Sequence, residues 1–262
     1  MKRPRVGLAL SGGAARCIGH IGVLEALESE GIAIDLVAGT SGGAMVAALY
    51  AMGVPVRQLK EMAFRLSWRG MVQPVFTKQG LISSKNLLRF ITRRIGSVDF
   101  KDLKIPLAVV ASDLKSGEKV VIRDGSVAQA VTASCSLPVI FSPVVIQGKV
   151  LVDGGMSSNL PVLTLIENLG ATWTIAVDVN DKELARTKLN NLFQIGIHTV
   201  SLIGRKNSAV EKKYADATIN VDASGISLLD LKKGHLMIRR GFAAAEKQIP
   251  YIKKSLSDRS VP

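Results

Sequence analysis

The chain has 262 residues, 47% apolar and 21% charged, with 24 glycines, 9 prolines and a formal charge of +13. That length holds one large domain or two small ones around a substantial core, and the composition excludes a disordered or collagen-like chain. Two cysteines, Cys17 and Cys135, are too few for a disulfide framework, and 5% aromatics are too few for a stacking platform on single-stranded nucleic acid.

Residues 1–5 are basic and residues 6–10 apolar, as at the start of a signal peptide. The apolar run ends at Ser11-Gly12-Gly13, short of the roughly 7–15 residues such a segment needs. Residues 6–10 therefore read as a buried strand, followed by a Gly-rich turn and a helix over about residues 15–30, closed by Gly31. Residues 34–38 read as the next buried strand. Gly39-Thr40-Ser41-Gly42-Gly43 makes a sharp turn, and residues 44–52 form a helix apolar on every side, as in a core. That turn also interrupts the longest apolar stretch, residues 36–56, so no membrane span is expected. A cytoplasmic, soluble protein is expected, with room for peripheral contact at the inner membrane face.

Pro55 opens another helix to about Leu66. Residues 106–111, 119–123 and 144–152 read as strands, the last turning at Gln147-Gly148-Lys149. A helix over 161–169, a strand over 173–179, a long helix over 190–213, a strand over 217–221 and a closing helix over 230–248 complete the chain. This alternation predicts an α/β fold of three layers around a central, mostly parallel sheet. Residues 1–262 read as a single domain, with 57–100 a basic insertion near one end of it.

The charge is concentrated. Between residues 57 and 94, nine Lys or Arg stand against one acid, Glu61; from residue 232 onward, eight bases stand against Glu246 and Asp258. Solvated helix faces explain such runs, as does attraction to an anionic membrane or substrate. No zinc spacing, basic zipper or RNA-recognition motif accompanies them, so no nucleic-acid partner is expected.

Gly39-Thr40-Ser41-Gly42-Gly43 lies between a buried strand and a buried helix, the context of a G-x-S-x-G nucleophile elbow. Ser11-Gly12-Gly13-Ala14-Ala15-Arg16 occupies a second strand-to-helix junction, where backbone N–H groups can bind a phosphate or an oxyanion. Its glycine spacing and the position of Asp35 do not fit a dinucleotide fingerprint. His20, His198 and His235 are the only histidines, and none sits in a loop after a strand, where a triad base belongs. Asp153, in Leu151-Val152-Asp153-Gly154-Gly155, ends an apolar strand and is the better base, although Asp-Gly-Gly is also a plain hairpin turn. Asp178 stands in a similar place after another strand.

Taken together, these blocks resemble the bacterial patatin-like phospholipase family. The resemblance runs from Arg5 to about Val179 and includes His20-Ile21-Gly22-Val23-Leu24 and Ala133-Ser134-Cys135-Ser136-Leu137-Pro138, with Phe141 and Pro143. It implies a patatin-like fold and a serine–aspartate dyad without histidine. In it, Ser41 attacks an ester carbonyl of a phospholipid, lysophospholipid or other acyl ester, and Asp153 takes the proton. The amides of Gly12, Gly13 and Ala14 are implied as the oxyanion hole, with Arg16, Gly39, Gly43 and Gly154 in support. No metal or cofactor is implied. Cys17 departs from the glycine usual in the family, and Ala14 stands where glycine is frequent. A soluble acylesterase or thioesterase, and a non-enzymatic regulator with a vestigial dyad, are the other readings.

Within the basic segment, Ser84 can cap a helix that ends at Gly96. Leu87, Leu88, Ile91 and Ile95 fall along one side and Lys85, Arg89 and Arg93 along another. The pattern fits an interfacial helix with its apolar strip toward lipid, or a helix packed on the protein with its bases in solvent.

Overall fold

Short apolar runs set the strands. The computed structural model describes residues 3–67, 82–182 and 190–259. Strands β1 (Val6–Leu10), β2 (Leu36–Thr40), β3 (Leu107–Asp113), β4 (Lys119–Ile122), β5 (Val144–Ile146), β6 (Lys149–Asp153), β7 (Trp173–Asp181) and β8 (Ala217–Asp222) share one sheet. Its order is β5-β6-β3-β2-β1-β7-β8, with β4 also paired to β3. The five strands from β3 to β8 are parallel neighbours, and β4, β5 and β6 add antiparallel pairs at one side. The mostly parallel sheet expected from the sequence is present. β1 and β2 are buried along their whole length, which is why they read as continuous apolar runs rather than alternating ones.

The helices are α1 (Gly19–Ser29), α2 (Gly42–Ala51), α3 (Val56–Phe64), α4 (Ser84–Ile95), α5 (Val127–Ser134), α6 (Val162–Leu169), α7 (Leu192–Glu211) and α8 (Gly234–Asp258). Val6, Leu8 and Leu10 of β1 enter the larger core, built with α1 to α5 and α8. On the opposite face, Ala9, Leu36 and Ala38 meet Val162 and Leu165 of α6 in a thinner one. The small side chains there let α6 lie close to the sheet. No described helix is long and apolar enough to cross a membrane.

Four local readings change. Residues 14–18 form a 3-10 turn and α1 begins only at Gly19, because the Ala15 N–H is drawn to the Leu228 carbonyl. α5 has no counterpart in the sequence reading; Ser126 caps it through the Gln129 N–H. α8 continues past residue 248 and through Pro250. Pro250 is exposed while Ile249 and Ile252 are buried on either side, so packing holds the helix across the missing hydrogen bond. Ser83, not Ser84, caps α4, because the Ser84 N–H is tied to Ser142 Oγ at 2.9 Å.

The basic segment 57–100 contributes α3 and α4 to the larger core; its Arg69 and Lys78 lie outside the described residues. Leu87, Ile91 and Ile95 are at most 2% exposed, so the apolar strip of α4 faces the protein and not lipid. Lys85, Arg89 and Arg93 remain exposed on its outer side.

Candidate active site

The carboxyl ends of β1 and β2, central neighbours in the sheet, open on the crevice where α/β folds gather ligands. β2 delivers the chain into Ser41, which takes φ +54° and ψ −130° before α2 begins. A non-glycine residue held there stores strain, as a nucleophile elbow does. The neighbouring glycines are required by space. A Cβ on Gly43 would collide with the carbonyl oxygens of Leu10 and Ser11, one on Gly39 with the backbone of Ala44, and one on Gly154 with the Val110 carbonyl. The elbow is further pinned by Ser134 at the end of α5: its hydroxyl accepts the Ser41 N–H at 2.8 Å and donates to the Val110 carbonyl at 2.5 Å.

Asp153 ends β6 and is 4% exposed. Its Oδ2 accepts the Ser41 hydroxyl at 2.6 Å, and its Oδ1 accepts the Gly155 N–H at 2.8 Å. Burial raises its pKa to about 6, outweighing the two hydrogen bonds that favour the carboxylate. Asp178, the similar aspartate, is held instead by Lys212 Nζ at 2.7 Å and the Asn180 N–H at 3.0 Å. His20 is buried, with Nε2 2.8 Å from the Ser11 carbonyl, and burial lowers its pKa to about 4. His198 is half-buried on α7 and His235 exposed on α8.

The loop after β1 lies against Ser41. The Gly12 N–H donates to the Asn159 carbonyl at 2.9 Å, so it is not available as the oxyanion donor the resemblance implied. The N–H groups of Gly13 and Ala14 meet no acceptor among the described residues, and both residues line the cavity containing Ser41. Ala14 adopts φ +48°, so an alanine does enter the left-handed turn where glycine is more usual. Arg16 is buried and turned away: its Nε and Nη2 donate to the Ile226 carbonyl at 2.9 and 2.7 Å, fixing that loop beside the Gly-rich one. Cys17 sits under the start of α2, where a Cβ on Gly42 would come within 2.8 Å of its sulfur. Burial pushes its thiol pKa far up.

Two cavities meet at Ser41. One, of about 580 Å³, runs between α2, α3 and α4 and is lined by apolar side chains including Met45, Leu49, Leu59, Leu87, Ile91 and Phe141. Among the described residues, Arg94, its guanidinium 3.4 Å from the centre of the Phe90 ring, is the one charged side chain along it. The other, of about 60 Å³, lies between the β1 loop, Asp153, Asn159, Asn180 and α7. Among the described residues, no group of three or more His, Cys, Asp or Glu gathers to hold a metal. Ser134, Asn159 and Asn180 were not singled out from sequence. The only signal was the block containing Ser134, whose resemblance carried no assigned role.

Known proteins point the same way. The chain is 34% identical over 183 residues to an uncharacterised NTE family protein of Mycobacterium tuberculosis, covering 69% of this chain and 50% of that protein. It is 34% identical over 191 residues to Lysophospholipase NTE1 of Debaryomyces hansenii, and 33% over 186 residues to Patatin-like phospholipase domain-containing protein 6 of Mus musculus. Those matches cover 71% and 68% of this chain, but only 12% and 14% of those proteins. At most half the length of these relatives is therefore represented. VipD from Legionella pneumophila shares the fold, with a TM-score of 0.60 and 15% identity over 96% of this chain and 67% of VipD. The sequence profile of the patatin-like phospholipases matches residues 8–166, and with these relatives it shows that the chain belongs to the patatin-like phospholipase family.

Proposed function

We propose that this domain is a serine acyl hydrolase acting on phospholipids, lysophospholipids or related acyl esters. The observation that carries the proposal is the 2.6 Å hydrogen bond from Ser41 to buried Asp153, at the mouth of an apolar chamber of about 580 Å³. That chamber is several times the ~150 Å³ cavity that accepts a benzene ring, enough for a long acyl chain. With the chain held there, Ser41 Oγ attacks the ester carbonyl while Asp153 Oδ2 takes its proton. A carboxylate with a pKa of about 6 is mostly ionised at neutral pH, yet a stronger base than an exposed aspartate. The amides of Gly13 and Ala14 stabilise the oxyanion, and the N-terminus of α2 adds a favourable field. The proton on Asp153 passes to the departing alkoxide. Asp153 then activates the water that releases the fatty acid.

The exposed bases Lys85, Arg89 and Arg93 suit peripheral contact with an anionic membrane, through charge alone since the apolar side of α4 is buried. The activity is tested by incubating lipid extracts with wild type and Ser41→Ala and measuring released fatty acid, alongside fluorophosphonate labelling. Release and labelling that both depend on Ser41 are expected; a wild type that neither labels nor releases fatty acid refutes the reading and leaves a regulator with a vestigial dyad.

A further inference from the structure

Strand β7 departs from its ladder close to the loop that follows β1. Asp178 faces Asn220 and Asp181 faces Asp222 on β8, so β7 carries one residue more than its partner over that stretch. Such a bulge re-aims side chains at a strand end, often beside an active site. Here it sets Asn180, 8% exposed, against the Gly-rich loop. Asn180 Nδ2 donates to the Gly12 carbonyl at 2.7 Å and to Asp178 Oδ1 at 3.2 Å. Its Oδ1 accepts from Arg16 Nη1 at 3.4 Å, so this orientation of the amide gives both of its polar atoms suitable partners. Asp178 is fixed in turn, its Oδ1 by the Asn180 N–H at 3.0 Å and its Oδ2 by Lys212 Nζ at 2.7 Å. A chain of polar contacts thus runs from the residue after α7 to one carbonyl of the loop.

That carbonyl and the Gly13 N–H belong to the same peptide. A trans peptide points its C=O and N–H in opposite directions, and this one is trans. Holding the Gly12 carbonyl on Asn180 therefore turns the Gly13 N–H away from β7. The peptide lies beside the nucleophile: a Cβ on Gly12 would be 3.1 Å from Ser41 Cβ. Gly13, Ser41, Asp153 and Asn180 all line the cavity of about 60 Å³. Resting on the hydrolase reading above, we propose that Asn180 is a positioning residue of the oxyanion hole. It acts through the Gly12–Gly13 peptide, whose N–H it aims at the oxyanion. Two glycines flank that peptide, so no side chain on either residue resists its rotation once the Asn180 bond is gone. Asp178 and Lys212 hold Asn180 in place.

The test uses two variants. Asn180→Asp keeps the shape but sets a carboxylate oxygen against the Gly12 carbonyl, and Asn180→Ala removes the donor without adding charge. Both are compared with wild type on a soluble butyryl ester and with an alkyl trifluoromethyl ketone. Ser41 Oγ adds to the ketone carbonyl, its proton passes to Asp153, and the carbonyl electron pair becomes an oxyanion in the hole. Each variant is expected to lose about a hundredfold in kcat with KM within about twofold, and the inhibition constant of the ketone to rise by the same factor. Binding of the ester by Ser41→Ala, with and without Asn180→Asp, is expected to be unchanged. A kcat near wild type, or a lowered kcat with the ketone bound as tightly as before, overturns the proposal. Ester binding lost in step with kcat assigns Asn180 to the fold and overturns it as well. A wild type that neither turns over the ester nor forms the ketone adduct refutes the hydrolase reading itself, and the role of Asn180 falls with it.

Discussion

Replacing Asp153 by asparagine removes the base and a buried charge together, so activity and stability should move in opposite directions. The folded protein raises the Asp153 pKa from 3.8 to about 6, because burial penalises the carboxylate more than Ser41 and Gly155 favour it. A raised pKa means that the folded state binds this proton more tightly than the unfolded chain. The favourable contribution is complete below pH 3.8 and is lost as pH rises through about 6. At pH 8 the ionised carboxylate destabilises the fold by about 3 kcal/mol; roughly half of that remains at pH 5 and little at pH 4. Asparagine keeps the shape without the charge. Asp153→Asn should melt about 5–10 °C above wild type at pH 8 and converge on it toward pH 4. The wild-type kcat/KM should rise with pH through an apparent pKa near 6, and the variant should lose about a thousandfold or more. Thermal melts at several pH values and a pH–rate profile on a soluble ester read both effects. A variant that melts below wild type equally at pH 5 and pH 8, or a wild-type rate flat across that range, refutes the reasoning.

Ser134→Ala should leave the Ser41 N–H and the Val110 carbonyl without their partner, lowering stability by about 1–3 kcal/mol. Displacement of the elbow should lower kcat roughly 10- to 100-fold with KM little changed, read by steady-state kinetics. Ile91→Trp should fill part of the acyl chamber, reducing turnover of long-chain esters about tenfold while butyryl esters are spared; a uniform loss across chain lengths would place the acyl chain elsewhere. Changing Lys85, Arg89 and Arg93 to glutamine should weaken sedimentation with anionic vesicles about a hundredfold, in a salt-sensitive way, with soluble-ester turnover intact. Equal sedimentation would leave those bases as ordinary surface.

Sequence by itself determined the layered architecture and the positions of its chemical groups. The apolar runs of β1 and β2 are continuous because both faces of the parallel sheet are covered, and each ends in glycines where the chain must turn closely. Such signals are local, and they placed Ser41, Asp153 and the Gly12–Ala14 loop at strand ends. Tertiary structure decided what each group does there. The Gly12 amide points to Asn159 and not to the site, a pairing between residues 147 positions apart that no local pattern encodes. Residues 127–134 are short and small-sided, and become a helix through packing on β3 and the Ser126 cap. The amphipathic pattern of α4 was legible, but a pattern gives a helix an apolar side without saying what covers it. Only the meeting of α2, α3 and α4 turned that side into the wall of a chamber. The closing helix, read from sequence to residue 248, runs on through Pro250; backbone chemistry disfavours proline inside a helix, and the burial of Ile249 and Ile252 overrides that preference. The perturbed pKa of Asp153 has the same origin: desolvation is a property of the surrounding fold, and a carboxyl acquires it only when the chain closes around it.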